Sequence, residues 1–291
     1  MTSEKQINLQ EPIVVLHLVW RDAGHEQFET FIESYKKFKA GCNHELLIAF
    51  KGFEQNADLR TRYLETLEGV SCQTFDVPNK GKDIFAYKNV VSRLSLECSA
   101  VLFLNSSAEF LCENWLLKLH SVLKNKSVGA VGATGSWERR EPLDTWPHYH
   151  LRTNAFFADF DLLKQLDWGG LDEALAFEAG PRSLYSQVLS MGLDVSVVGK
   201  DGTMYLADDW KVSGTFRSFG QRNLMIADNR TRDYSDTDEV KKLWFHILAW
   251  YDFEPGPHPD KRGSFSYIFK RFFYMLKNKR ALRQFKPNEM L

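Results

Sequence analysis

Two short polar stretches each follow an apolar run of strand length, and their side chains suit an anionic ligand. One stretch is NKGKD at 79–83, and the other begins directly after AVLFL at 100–104. Lysine ammonium groups bind phosphate as point charges, while amides and hydroxyls donate hydrogen bonds. We therefore predict that an anionic ligand is bound by Asn79, Lys80, Lys82, Asp83, Asn105, Ser106 and Ser107.

The same residues also suit ordinary structural roles. Asp83 opens a predicted helix and is a typical N-cap residue. Asn105 and Ser106 are typical of turns. Gly81, in contrast, permits a close approach of the backbone to a ligand. The structural and the ligand-binding interpretations both stay open from the residues alone.

Apolar periodicity places these stretches on a framework of alternating strands and helices. The predicted strands of the first half are 13–20, 44–53, 71–79, 100–105 and 128–133. The predicted helices between them are 25–38, 58–68, 83–94 and 115–125. Because the strands are apolar on both faces, we predict an α/β fold with a mainly parallel sheet flanked by helices.

Ligands of such sheets bind at the carboxyl ends of the strands. Residues 20–22, 79–83 and 105–109 each follow a predicted strand, so we expect them around one crevice. A dinucleotide site of the Rossmann type is not indicated. The stretch GAVGATG at 129–135 has the spacing G-x-x-G-x-x-G, and it follows the fifth strand rather than the first.

The second half of the chain is less regular. A strand leading into a helix is predicted at 151–166, a loop and helix at 169–192, and a strand at 193–199. The polar segment 208–234 lacks clear periodicity, and we expect it to form a lid. Its phosphate-facing groups would be Arg217, Arg222 and Arg230. An amphipathic helix is predicted at 238–253.

Aromatic residues and two histidines gather around WPHYH at 146–150. The flat apolar faces of Trp137, Trp146 and Tyr149 suit sugar rings, and simple packing is an equal alternative. His148 and His150 would face the same side of a strand, where a histidine pair binds a metal if further ligands approach. Asp208 is a weak candidate for such a ligand.

The composition is that of a soluble globular chain, with 44% hydrophobic and 26% charged residues among 291. None of the four cysteines lies in a C-x-x-C pair, which argues against a zinc ribbon and fits a reducing compartment. The start shows no apolar signal segment, and no run approaches the roughly 20 apolar residues of a spanning helix. We therefore expect a cytoplasmic protein.

Charge is distributed unevenly along the chain. The formal net charge is -1, but residues 260–291 hold nine Lys or Arg and two acids, which is +7. Apolar residues recur there at three- and four-residue steps, namely Phe265, Ile268, Phe269, Phe272, Phe273 and Leu276. A basic amphipathic helix of this kind suits an anionic membrane surface, here the inner membrane face. Docking on the core or a dimer contact are alternatives, and nucleic acid is an unlikely partner.

Four segments, taken in order, resemble the GT-A fold glycosyltransferases, most closely the inverting family 2 group. NKGKDIFAYKNV looks like the family's segment before a helix near the nucleotide, and VLFLNSS stands where the family has its D-x-D strand. WLLKLHSVLKNKSVGAVGA is similar to the helix and strand that follow. Residues 169–192 resemble the acceptor-side region that carries an acidic pair. We expect a GT-A-like domain at 12–215 and a lid with a C-terminal helical extension at 216–291.

The resemblance implies transfer of a sugar from a nucleotide-sugar donor to a glycan or lipid-linked acceptor, with inversion, as in polysaccharide biosynthesis. It makes the anion-binding residues donor ligands and adds Arg152 and Arg222 as phosphate-binding cations. The aromatic residues become acceptor contacts. An inverting transfer also needs a carboxylate base, for which Glu178 is the first candidate, Asp172 the second and Glu173 a third.

Two departures from the family pattern concern the metal and the base. The D-x-D position reads Asn-Ser-Ser, so Mg²⁺ or Mn²⁺ would lack its usual carboxylates. Metal-independent transfer, in which fixed cations meet the diphosphate, is then one expectation. A metal held by Glu109 or Asp208 is the other. The acidic pair reads Glu178-Ala179, which leaves a single acid.

Two other classes of function stay open. A non-catalytic module that kept the fold and lost the acids would bind a nucleotide or a sugar without turnover. A nucleic-acid-modifying transferase would use the basic tail and would bind DNA or RNA with a steep salt dependence.

Overall fold

A computed structural model describes residues 7, 9, 11–95, 97–138 and 146–251. The strands of these ranges are β1 (Ile13–Trp20), β2 (Glu45–Lys51), β3 (Gln73–Val77), β4 (Ala100–Leu104), β5 (Glu109–Phe110), β6 (Val128–Gly132), β7 (Gly135–Ser136), β8 (His150–Leu151), β9 (Ala155–Asp159), β10 (Asp194–Val198), β11 (Met204–Leu206) and β12 (Ile226–Ala227).

Eight of these strands form one sheet in the order β11-β10-β6-β9-β4-β1-β2-β3. β9 runs antiparallel to β4 and β6, and β11 runs antiparallel to β10. The remaining neighbours are parallel. The predicted fold class is therefore confirmed, as an α/β fold with a mainly parallel sheet flanked by helices.

The α-helices of the described ranges are α1 (His25–Lys37), α2 (Ala57–Glu65), α3 (Asp83–Val91), α4 (Trp115–Leu123), α5 (Phe160–Gln165), α6 (Ala174–Glu178), α7 (Leu184–Ser190), α8 (Asn229–Ser235) and α9 (Glu239–Trp250). α1 buries Phe28, Phe31 and Ile32, which lie on one side because they are three and four residues apart. None of the helices in these ranges is long and apolar enough to cross a bilayer.

Neighbouring strand residues point to opposite sides of the sheet, and both sides are buried along the central strands β1, β4 and β6. On one face, Leu16 and Phe103 belong to the apolar cluster that includes Tyr87 of α3. On the other face, Val15 belongs to the cluster that includes Phe31 of α1. This explains why the strands read as continuous apolar runs rather than as alternating ones.

The polar segment 208–234, which has no clear period in the sequence, is packed structure, and its role as a lid stays a prediction. It contains 3-10 turns at Ala207–Ser213 and Phe219–Gln221, then β12 and the start of α8. Its polar residues Ser213, Thr215 and Arg217 are buried, so the segment shows no apolar period although it packs closely. A boundary at residue 215 falls inside this packed region. The basic tail at 260–291 and residues 139–145 lie outside the described ranges.

His17 is a buried imidazole in the middle of β1. It is fully buried and stacks on Phe31 with ring centroids 3.6 Å apart, and neither ring nitrogen has a hydrogen-bond partner. Burial lowers the pKa of His17 to about 3. The imidazole therefore stays neutral in the folded chain at pH values where it would be protonated in the unfolded chain.

We expect His17→Leu to flatten the pH dependence of stability. As the pH falls below 6.5, the unfolded wild-type chain takes up a proton that the folded chain refuses until about pH 3. Between pH 7 and pH 5 this costs the wild type about 2 kcal/mol of unfolding free energy. Urea unfolding at the two pH values should show that His17→Leu avoids this loss. Equal losses in the two proteins would contradict the assignment.

Candidate functional site

A cleft of about 710 Å³ lies at the carboxyl ends of β1, β2 and β4. It is lined by Leu18, Trp20, Ala23, Gln27, Lys51, Gly81, Lys82, Asp83, Asn105, Ser106, Ser107, Asn229 and Arg230. Five of the seven residues predicted to bind an anionic ligand are in this lining. Three cations and one carboxylate line the cleft, namely Lys51, Lys82, Arg230 and Asp83, which gives a net charge of +2.

The turn after β4 is held by its own side chains. Asn105 Oδ1 accepts a hydrogen bond from the Ser107 amide at 3.1 Å. Ser106 Oγ accepts a hydrogen bond from the Trp20 amide at 3.0 Å, which ties the ends of β4 and β1 together. The structural role expected for these residues is therefore present, and the same three residues also line the cleft.

Gly81 brings the backbone of the NKGKD loop into close contact with the loop before α6. Its φ of +55° lies in the left-handed region that favours glycine. A Cβ on Gly81 would lie 2.8 Å from the Leu171 carbonyl oxygen. The glycine is therefore required by packing as well as by conformation.

Lys51 is a cleft residue that the sequence did not single out. It ends β2, is only 4% exposed, and donates hydrogen bonds from Nζ to Gly81 O at 2.7 Å and Lys82 O at 3.1 Å. Burial lowers the pKa of Lys51, and the Asp83 carboxylate acts in the opposite direction. One signal was available, since Lys51 is a charged residue at the end of an otherwise apolar strand.

Asp83 and Glu178 are two carboxyl groups that interact electrostatically. Asp83 begins α3 and lines the cleft, and Glu178 ends α6. Burial raises the pKa of Asp83, and the charge of Glu178 raises it further. The hydrogen bond from the Ile84 amide and the charge of Lys51 oppose this rise. Glu178, the first candidate for the base, therefore lies within electrostatic reach of the cleft.

A buried ion pair holds the cleft wall that α8 forms. Arg152 Nη2 lies 2.7 Å from Asp228 Oδ2, and their side chains are 7% and 1% exposed. Asp228 also caps α8 by accepting a hydrogen bond from the Thr231 amide. The next two residues, Asn229 and Arg230, line the cleft. The guanidinium of Arg152 therefore positions this wall.

Several predicted phosphate-binding residues lie elsewhere in the structure. Arg152 is directed to Asp228 rather than into the cleft, and Arg217 is buried against the rings of Phe216 and Phe245. Arg222 is exposed and outside the cleft lining. The sequence did not reveal that the Arg152 guanidinium would pair with a buried carboxylate 76 residues away. Asn79 and Lys80 are exposed and outside the lining.

The candidate metal ligands have other partners. Glu109 pairs with Arg232 at 3.1 Å, and the Tyr149 hydroxyl donates a hydrogen bond to Asp208. His148 Nε2 accepts a hydrogen bond from the Gly180 amide at 3.1 Å. In the described ranges, no group of three or more His, Cys, Asp or Glu residues is arranged to hold a metal ion. These side chains, with the carboxylate-free turn after β4, do not fit a divalent cation.

The aromatic residues predicted as acceptor contacts form one cluster. Trp137 lies edge-on to Trp146 and Tyr149, with ring centroids 6.1 Å and 6.0 Å apart. The hydrogen bond between His148 and the Gly180 amide ties this cluster to the turn that follows Glu178. Packing, the alternative role of these aromatic residues, is present. Asp172, the second candidate, is exposed in the loop before α6.

No protein-family model matches the chain, and no curated protein sequence matches it. Among solved structures, a 4-diphosphocytidyl-2C-methyl-D-erythritol synthase from Anaerococcus prevotii is 14% identical over 65% of this chain and 88% of its own, with a TM-score of 0.41. A mannosyltransferase from Pyrobaculum calidifontis in complex with GDP-Man and Mn²⁺ is 12% identical over 97% and 75%, with a TM-score of 0.47. A galactosyltransferase with donor and acceptor sugar analogues is 11% identical over 64% and 73%, with a TM-score of 0.43. At these TM-scores, none of the similarities assigns a function to this chain.

We expect Asp228→Ala to destabilise the fold strongly. The substitution leaves the buried Arg152 guanidinium without its counter-charge and removes the cap of α8. Breaking a buried pair in this way costs about 3–5 kcal/mol. The unfolding free energy from urea titration measures the loss.

Asp238→Ala provides the matched control. Asp238 is also an N-cap, accepting a hydrogen bond from the Lys241 amide at 2.9 Å, but it lies at the surface at the start of α9. Its loss should cost about 1 kcal/mol. Similar losses of unfolding free energy in the two variants would mean that the Arg152–Asp228 ion pair adds no stability beyond that of the N-cap.

Proposed function

We propose that this chain is a glycosyltransferase that moves a sugar from a nucleotide-sugar donor to the hydroxyl of a glycan or lipid-linked acceptor. One observation carries the proposal. A cleft with a formal net charge of +2 lies at the carboxyl ends of the parallel strands, and Asp83 in its lining interacts electrostatically with Glu178. A donor diphosphate carries about two negative charges, which matches this cleft.

The cleft supports a division of roles along the donor. Trp20 is 42% exposed at the end of β1 and offers a flat apolar face for a base or a sugar ring. Lys51, Lys82 and Arg230 supply positive charge for the diphosphate, and the Ser106–Ser107 turn supplies hydroxyls. Positive charges stabilise a leaving group most effectively where they are held in place and water is excluded.

The proposed chemistry is an inverting displacement. The acceptor hydroxyl oxygen attacks the anomeric carbon while the bond from that carbon to the diphosphate oxygen breaks. The bonding electrons leave with the diphosphate, and the hydroxyl proton passes to the Glu178 carboxylate. Asp83 lies within electrostatic reach of Glu178, and burial followed by the charge of Glu178 raises the pKa of Asp83. The aromatic cluster around Trp137 would bind the acceptor.

The proposed transfer proceeds without a resident metal. The support is the chemistry of the side chains, since the turn after β4 offers an amide and two hydroxyls and Glu109 is held by Arg232. Hard divalent cations prefer carboxylate oxygens. The cations that line the cleft would then neutralise the negative charge of the diphosphate.

A thermal-shift panel tests donor binding directly. The panel holds UDP-, GDP-, dTDP- and CMP-sugars, each with Mg²⁺, with Mn²⁺ and with EDTA. We expect one nucleotide class to raise the unfolding midpoint by roughly 5–10 °C at a hundredfold excess over its Kd, equally in EDTA. Absence of any shift would contradict the transferase proposal, and a shift that needs metal would contradict metal independence.

Glu178→Gln tests the base. Gln keeps the size of the side chain but does not accept the proton, so turnover should fall by about 10²- to 10⁴-fold while the donor Kd changes little. Release of nucleoside diphosphate in the presence of acceptor measures turnover. Asp172→Asn is the matched variant, because it removes the second candidate carboxylate in the same region. A large loss in Asp172→Asn with Glu178→Gln active would reverse the assignment. Nucleotide binding without turnover in the wild type would indicate a binding module instead.

A further inference from the structure

Lys51 differs from the other cations of the cleft because its charge is held in place. Its side chain is buried, whereas Lys82 and Arg230 are exposed. A flexible exposed side chain loses rotamer freedom when it binds a ligand, but a buried and hydrogen-bonded one has already lost it. Lys51 is therefore the best preorganised positive charge in the described part of the cleft.

The hydrogen bonds of Lys51 leave room for a further acceptor. A lysine ammonium has three N–H donors. The carbonyl oxygens of Gly81 and Lys82 accept two hydrogen bonds from it, at 2.7 Å and 3.1 Å. Because Lys51 also lines the cleft, an anionic ligand bound there could accept the third hydrogen bond.

The same contacts fix the loop that lies against the ligand. The Lys51 ammonium binds the two residues directly before Asp83, the first residue of α3. Asp83 is close enough for its carboxylate to favour the charged form of Lys51. Loss of the ammonium therefore removes a charge and also releases the backbone between Gly81 and Asp83.

We propose that the Lys51 ammonium binds the diphosphate of the donor and supplies, as a fixed charge, the positive centre that a metal on carboxylates would otherwise supply. This inference rests on the proposed function for the identity of the ligand. It makes Lys51 a catalytic residue, since the leaving diphosphate gains negative charge as the glycosidic bond breaks. It also makes donor affinity depend on Lys51 rather than on a divalent cation.

The test compares three variants of the full chain by isothermal titration. Lys51→Met removes the charge and keeps much of the apolar stem, and Lys51→Arg keeps a charge at the same position. Lys164→Met is the control with the same change of net charge, because Lys164 lies on α5, pairs with Asp161 and is outside the cleft lining. Melting curves of all three show whether they fold.

The ligands separate the diphosphate from the nucleoside. UDP, GDP, dTDP and CDP are titrated in excess EDTA and again in Mg²⁺, together with the corresponding nucleosides and inorganic pyrophosphate. For the diphosphate that binds the wild type, Lys51→Met should lose about 10- to 100-fold in affinity, as expected for one charge-assisted hydrogen bond. Nucleoside affinity should stay within about threefold. Lys51→Arg should recover part of the loss, and Lys164→Met should behave as the wild type.

Two results would overturn the inference. One is equal affinity of folded Lys51→Met and the wild type for the nucleoside diphosphate. The other is wild-type binding that disappears in EDTA. If the proposed function itself is wrong, the result is distinguishable, because no nucleoside diphosphate then binds the wild type. Lys51-dependent binding of pyrophosphate alone would, in that case, support an anion site of another enzyme class.

Discussion

The ammonium of Lys51 is the charge around which the cleft is arranged. A buried ammonium is stable only when acceptors surround it, and here they are two backbone carbonyls of the loop that follows β3. The loop turns through Gly81, whose φ is +55°, and this turn puts both carbonyls within reach. Asp83 then starts α3 at the edge of the cleft. A single buried cation thus fixes the loop, the helix start and the carboxylate beside it.

Long-range polar contacts hold the remaining walls. The hydrogen bond from the Trp20 amide to Ser106 Oγ joins the ends of two neighbouring strands. The ion pair of Arg152 with Asp228 fixes the start of α8, which places Asn229 and Arg230 in the lining. Parallel strands bring their carboxyl ends to one edge, and these contacts shape the cleft at that edge.

The sequence predicted the sheet and most of the polar residues in the cleft, because each buried parallel strand reads as an unbroken apolar run that ends at the cleft. It failed where a polar residue finds a partner far along the chain. An arginine side chain is a typical phosphate ligand, but Arg152 forms a buried ion pair with Asp228 instead. The segment 208–234 shows no apolar period in the sequence because polar residues such as Ser213 and Thr215 are buried in it. Lys51 was missed because a single charged residue at the end of an apolar strand belongs to no recognisable motif.

A crystal structure of the chain with its tightest-binding nucleoside diphosphate, grown in EDTA, would show directly whether Lys51 binds the diphosphate. Diphosphate oxygens should lie within about 3 Å of Lys51 Nζ, with the Ser106–Ser107 turn alongside. Arg152 should stay paired with Asp228. A nucleotide bound away from the carboxyl ends of β1, β2 and β4, or crystals that bind it only after a divalent cation is added, would rule out this role of Lys51.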